Sequence, residues 1–281
     1  MSAFTDVRPA EAEQLRSPSW DRVARAQLRA TGLALRTDLV LGALLLAGTA
    51  VLLESSVFRG EGLDVDLVNI AVQLAVLALF FPMTVWKGDE PARRAYHWAM
   101  PVPRGRHSLT KVLAGWTWFA GLAGVYVLAS LGVALATGGA VSTGTGWEQD
   151  LAQRIGAGFD PQDLSFHGHA WLWLVPFGAM TASYLLGSVV ALSMNHPWRF
   201  MAALILVVVT LFAATVGGAL QDGLLASARD LLLAGRYGIL ALFSGFSDRS
   251  PHAAVWSVAV ALWCGVGLAG VLTAAARRRE A

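Results

Sequence analysis

The sequence predicts an all-α integral membrane protein with six transmembrane helices. Of its 281 residues, 56% are hydrophobic and only 14% are charged, and the mean hydropathy is +0.55. Soluble domains average about one quarter charged residues. Six apolar stretches approach or exceed the length that crosses a bilayer, which is about 20 residues. They lie at about residues 39–58, 67–86, 112–137, 170–194, 200–220 and 253–276.

The distribution of lysine and arginine predicts that both termini are cytoplasmic. Cytoplasmic loops of membrane proteins carry an excess of basic residues. With six spans, 16 of the 21 basic residues fall on one side, together with both ends of the chain. These residues are Arg8, Arg16, Arg22, Arg25, Arg29, Arg36, Lys87, Arg93, Arg94, Arg104, Arg106, Lys111, Arg199, Arg277, Arg278 and Arg279.

The chain before the first span divides into a polar tail, residues 1–16, and a basic amphipathic helix, residues 17–37. Ser17 and Pro18 are typical of a helix start. Apolar residues such as Trp20 and Leu28 recur at spacings of three and four, with arginines at most other positions. This pattern favours a helix in the headgroup layer, ahead of the six-span domain at 38–281. An ordinary solvated helix is the alternative.

Two long segments are predicted on the outer side. Residues 138–169 are rich in glycine and polar residues. Residues 221–252 are apolar but are broken by Arg229, Arg236 and glycines, which predicts one or two short re-entrant helices between spans five and six. A seventh span is the alternative, but it would leave Arg236 in lipid and place the basic tail outside.

The stretch from Trp86 to Lys111 is a long basic interruption between spans two and three. Gly88, Asp89, Glu90 and Pro91 are typical of a helix start, and a short helix is expected at 92–99. A Met-Pro-Val-Pro sequence at 100–103 then stops it, and residues 104–106 are expected to turn the chain. Such a unit could receive a push and transmit it to both spans, whereas a plain basic loop is the alternative reading.

The sequence lacks the usual signatures of catalysis. It has no phosphate-binding GxxxxGK[ST] loop, no HExxH and no GxSxG, and its spans carry almost no ionisable residue. We therefore expect no catalytic residue, metal or cofactor of its own, and an intramembrane enzyme is disfavoured. The net charge of +2 gives no reason to expect nucleic acid.

Mild polar residues in the spans are candidates for a substrate path. Asn69 and Gln73 are four residues apart and share one helix face, and Thr210 lies in the fifth span. Hydrogen bonding between helices would also explain such residues. Ser183 and Gly187 have a small-xxx-small spacing, which permits close helix contact.

The segment between spans two and three resembles that of ABC-2-type export permeases. The resemblance lies in the order of its features: acidic residues, a short helix, a proline–arginine turn (Pro101, Arg104) and a lysine at the start of span three. These permeases are the membrane subunits of ABC exporters with the type V fold. The resemblance implies a permease dimer, with a second copy or a paralogue, in a bacterial plasma (inner) membrane. It also implies a separate ATPase subunit, which would bind ATP and Mg²⁺.

By this resemblance the segment between spans two and three is the coupling helix. Its expected ATPase contacts are Asp89, Glu90, Arg93 and Arg94, while Pro101 and Arg104 hold the turn. The expected function is outward transport of a hydrophobic or amphiphilic substrate across the lipid bilayer. The alternative is a non-transporting scaffold or regulatory subunit of a larger complex.

Overall fold

The structure, a computed structural model, describes residues 19–53, 65–87, 104–137, 141–142, 170–194, 196–216, 237–239, 241–244, 246–247, 250–251 and 253–277. Almost all of these residues are helical. The helices are α1 (Trp20–Leu53), α2 (Leu67–Trp86), α3 (Arg104–Thr137), α4 (Val175–Ser193, preceded by a 3₁₀ helix at Ala170–Leu174), α5 (Pro197–Val216), α6 (Ala241–Ser244) and α7 (Ala253–Arg277). Two-residue strands are β1 (Val65–Asp66), β2 (Val141–Ser142), β3 (Phe246–Ser247) and β4 (Ser250–Pro251).

Five helical stretches in the described part of the chain are long and apolar enough to cross a membrane. They are Trp20–Gly48, Leu67–Trp86, Gly105–Ala136, Trp171–Ser193 and Ala253–Arg277. Together they indicate a multi-pass membrane protein. The predicted fifth span falls on α5, of which Pro197–Leu206 is described as a shorter apolar helix, so the six-span arrangement stays a prediction.

Helices α2 and α3 are antiparallel neighbours. Their contacts run in opposite order along the two helices, from the ring pair of Phe81 and Phe119 to the hydrogen bond between Gln73 and Tyr126. Beyond these contacts β1 pairs with β2 in parallel, with Val65 opposite Val141. We call this the outer end of the bundle, and the end where α2 stops and α3 begins the inner end.

Helix α4 packs between α2 and α7, and glycines set the spacing. At Gly187 the backbone of α4 lies so close to α2 that an added Cβ would collide with the carbonyl oxygen of Leu79. On the other side, a Cβ at Gly267 of α7 would lie 2.6 Å from Leu185 Cβ. Of the small-xxx-small pair Ser183 and Gly187, Gly187 therefore makes a close helix contact.

Two sequence predictions about helix ends differ from the structure. The predicted interfacial helix at 17–37 and the first span form one continuous helix, α1, with Asp38 inside it. Residues 104–106, expected to turn the chain, are the first turn of α3. No proline follows Pro103 in this region and a single glycine costs only about 1 kcal/mol, so nothing local stops a helix from starting at Arg104.

Of the outer segment predicted to hold re-entrant helices, the described part contains α6 and the antiparallel pair β3–β4. Ala241 and Leu242 of α6 are buried against the outer parts of α2, α4 and α7. The expected short helix at 92–99 lies outside the described residues.

Substituting Gly187 with alanine should destabilise the protein by about 1 to 3 kcal/mol, because the carbonyl of Leu79 is backbone and cannot move aside like a side chain. The matched control is Gly121→Ala on α3, where no heavy atom lies within 4 Å of the new Cβ. The control should leave stability unchanged or raise it slightly through helix propensity. Thermal unfolding of the detergent-purified variants tests this, and equal midpoints would contradict the contact.

Asp66 makes stability depend on pH. Its Oδ1 accepts a hydrogen bond from the Val68 amide at 2.8 Å and caps α2. Burial nevertheless raises the carboxyl pKa above its ordinary value of 3.8. The native state therefore holds the proton more tightly than the unfolded chain, so this contribution to stability is present at low pH and is lost as pH rises through the raised pKa.

We expect the thermal midpoint of the wild-type protein to fall as pH is raised from about 4 towards 7, with other carboxyl groups contributing a common background. Asp66→Asn keeps a capping oxygen and should flatten that part of the profile. Identical pH profiles for the two proteins would show that Asp66 is not the titrating group.

Candidate coupling site at the inner end

At the inner end of the bundle, α2 ends and α3 begins on either side of the basic segment 88–103. The chain leaves α2 after Trp86 and starts α3 at Arg104. The predicted contacts Asp89, Glu90, Arg93, Arg94 and Pro101 lie outside the described residues. Arg104 is the first residue of α3, and its side chain is not described.

Lys111 joins α3 to the end of α2. Its Nζ lies 4.6 Å from the centre of the Trp86 ring, and both residues are 9% exposed. A cation over the face of an indole is attracted by the ring quadrupole, more strongly where water is excluded. Lys111 lies two turns into α3, so this contact holds the helices together where the segment 88–103 leaves and returns.

A second cation–π pair joins α1 to the same place. Arg106 Cζ lies 4.5 Å from the centre of the Trp20 ring. Further along, the indole N–H of Trp118 donates to the carbonyl of Leu28 at 2.9 Å, and Gly32 leaves room for that indole. The first half of α1 is therefore docked on α3.

Helix α4 is fastened at this level as well. The hydroxyl of Tyr184, which is fully buried, donates to the carbonyl of Val112 at 2.9 Å. Gly115 gives this hydroxyl space, since a Cβ there would collide with it. The residue after Lys111 thus anchors α4, and the first turns of α3 contact α1, α2 and α4.

The three predicted path residues are not gathered into one site by the described contacts. Gln73 Oε1 accepts a hydrogen bond from the Tyr126 hydroxyl at 2.6 Å, and Asn69 lies half-buried on the same helix. Thr210 is exposed, and its hydroxyl donates to Leu206 of its own helix at 2.7 Å. Sequence reasoning missed Tyr126, although a tyrosine between Val125 and Val127 in an apolar run is a visible signal.

At the outer end, tryptophans hold the segment around α6. The indole N–H of Trp256 donates to Leu242 at 3.2 Å, and that of Trp263 donates to Tyr237 at 3.0 Å. The rings of Trp171 and Trp256 lie 5.5 Å apart. Backbone carbonyls at 237 and 242 thus bond to α7, and this segment is attached to one helix of the bundle at two points.

Among the described residues, no three His, Cys, Asp or Glu side chains are grouped so that they could hold a metal ion. Cys264 is a free thiol, half-buried on α7. At the described inner end, two cation–π pairs and the hydrogen bonds made by Trp118 and Tyr184 link four helices near the ends of a basic segment.

Replacing Lys111 with methionine should destabilise the protein by about 1 to 2 kcal/mol, since it removes a largely desolvated cation–π contact. Lys87→Met is the matched control, because Lys87 is exposed at the end of α2, and it should change stability by less than about 0.5 kcal/mol. A double-mutant cycle with Trp86→Leu, read by thermal unfolding, isolates the pair. Additive effects of the two substitutions would argue against the contact.

Comparisons with known proteins add no assignment to this geometry. A scan against protein-family models, a search of curated proteins and a search of solved structures each return no match.

Proposed function

We propose that this chain is the membrane-spanning permease subunit of an ATP-driven ABC exporter. It moves a hydrophobic or amphiphilic substrate outward with energy from a separate ATPase subunit. The observation that carries the proposal is the cation–π contact of Lys111 with Trp86. This contact ties the last residue of α2 to α3 two turns beyond the point where the basic segment 88–103 rejoins it.

A segment that receives a push is useful only if its ends are stiffly joined to the helices that must move. Helices α2 and α3 meet this requirement at Trp86 and Lys111, and Tyr184 extends the connection to α4. Because helices and packed side chains are rigid, a displacement of the segment reaches α2, α3 and α4 together. This supports a coupling role for residues 88–103, in which Asp89, Glu90, Arg93 and Arg94 contact the ATPase.

In this proposal the chain has six spans, both termini lie in the cytoplasm, and the protein is in a bacterial inner membrane. A second permease copy or a paralogue completes the transporter. The charge distribution supports the orientation, since 16 of the 21 basic residues fall on one side of six spans. The absence of a phosphate-binding loop from the sequence agrees with a subunit driven by a separate ATPase.

The pair Gln73–Tyr126 is the polar contact that best suits a substrate path. It lies in the outer halves of α2 and α3 within an otherwise apolar surrounding. A hydroxyl and an amide can exchange partners with the polar group of an amphiphile, while the neighbouring apolar surface contacts its chain. Thr210 is a weaker candidate because its hydroxyl is already bonded within α5.

The test is association with an ATPase and its dependence on Arg93 and Arg94. The chain should co-purify from its native membranes with an ATPase whose ATP hydrolysis is sensitive to vanadate. The double reversal Arg93→Glu with Arg94→Glu should weaken that association by about tenfold or more, because charge pairs at an interface are worth more than 1.4 kcal/mol when desolvated. Membrane insertion and monodispersity should be unchanged.

The matched control is Arg277→Glu with Arg278→Glu, which makes the same charge change on the same predicted side. This control should retain the ATPase. If the double reversal at 93 and 94 retains it as well as the wild type, the coupling contact lies elsewhere. A chain that purifies as a stable complex with no ATPase would instead favour the scaffold function.

A further inference from the structure

One face of α1 carries a line of arginines. Arg22, Arg25, Arg29 and Arg36 are all exposed, and at 100° per residue they fall within an arc about 60° wide. We call these four residues the arginine stripe. With a rise of 1.5 Å per residue the stripe is about 21 Å long. The line is therefore an extended cationic strip along the helix.

Among the described residues, only one arginine of the stripe has an acidic partner. Arg25 forms an exposed ion pair with Asp21 one turn earlier. Within the part of the chain that the structure describes, Arg22, Arg29 and Arg36 have no carboxylate within ion-pair distance. Three exposed guanidinium groups therefore stand in a row, and none of them has an anionic partner among the described residues.

Contacts on the opposite face of α1 show where the arginine stripe lies relative to the apolar part of α3. Thr31 and Leu35 are buried there, and Leu28 accepts the hydrogen bond from Trp118. Trp118 is seven residues beyond Lys111, within the apolar part of α3. Arg25 and Arg29 therefore lie at the same height in the bundle as an apolar part of α3. After Arg36 the residues on the arginine face of α1 are apolar as well.

A guanidinium at such a boundary is held by the anions found there. Arginine extends its aliphatic stem along apolar surface and keeps its charged end at the headgroup level. Its planar fork matches a phosphate with two parallel hydrogen bonds. Trp20 is half-exposed at the start of the same helix, a position typical of an interfacial anchor. Leu33 is 79% exposed beside the stripe, where an acyl chain can cover it.

We propose that the arginine stripe of α1 binds the phosphates of anionic phospholipids in the leaflet at the inner end of the bundle. The attraction is to net negative headgroups, since a zwitterionic lipid offers the same phosphate with a compensating cation. This binding does not depend on the exporter function, because it needs only α1 docked on α3 in a bilayer.

The test is lipid retention by the full-length protein. Wild-type protein purified in mild detergent is mixed with equal amounts of phosphatidylglycerol and phosphatidylcholine, and the lipid bound after gel filtration is quantified. We expect several-fold enrichment of phosphatidylglycerol. The triple variant Arg22→Gln, Arg29→Gln, Arg36→Gln should lose about tenfold or more of this preference, since each basic residue near an anionic surface contributes about fivefold.

A control of equal charge separates the stripe from bulk electrostatics. Arg199→Gln, Arg277→Gln and Arg278→Gln remove the same number of charges elsewhere on the predicted cytoplasmic side, and this variant should keep the preference. Equal loss in both variants would overturn the proposal. So would a triple variant that keeps its phosphatidylglycerol but no longer binds an acidic partner protein, because the stripe would then be a protein contact.

A measurement on the wild type alone covers the case in which the variant does not fold. Short-chain phosphatidylglycerol should raise the thermal midpoint more than short-chain phosphatidylcholine, and the difference should shrink as salt is raised, because exposed charges are screened. Equal shifts for the two lipids would overturn the proposal.

Discussion

The close backbone contact between α4 and α2 is the constraint on which the rest of this bundle depends. In lipid, apolar side chains gain little by leaving one apolar surface for another, so helices associate through close packing and hydrogen bonds. Gly187 lets α4 reach the carbonyl of Leu79, and Gly267 lets α7 reach Leu185. With α4 held between these neighbours, Tyr184 is in place to bind the first turns of α3.

The positions of several helices could be predicted from the sequence because a bilayer imposes a length. The predicted span at 67–86 coincides with α2, and the spans predicted at 170–194 and 253–276 cover α4 with its 3₁₀ turn and α7. Helix ends outside the apolar runs could not be read in the same way. Hydropathy marks where lipid begins, whereas a helix continues until its hydrogen bonding is interrupted, so α1 and α3 extend well beyond their apolar parts.

For each contact at the candidate site, only one of the two partners could be predicted from the sequence. Arg106 and Lys111 stood out as cations near the start of a span, but their partners Trp20 and Trp86 come from other helices. No local pattern pairs one tryptophan with one cation over such separations. Thr210 was predicted to line a substrate path because it is a polar residue in a span. The sequence does not show that its hydroxyl bonds to the backbone of its own helix, as helical threonines often do.

The parallel pair β1–β2 has a mechanical consequence. It fastens α2 to α3 through backbone hydrogen bonds at one extremity, while Lys111 and Trp86 fasten them at the other. Because the two helices are joined at both ends, we expect them to move together as one unit.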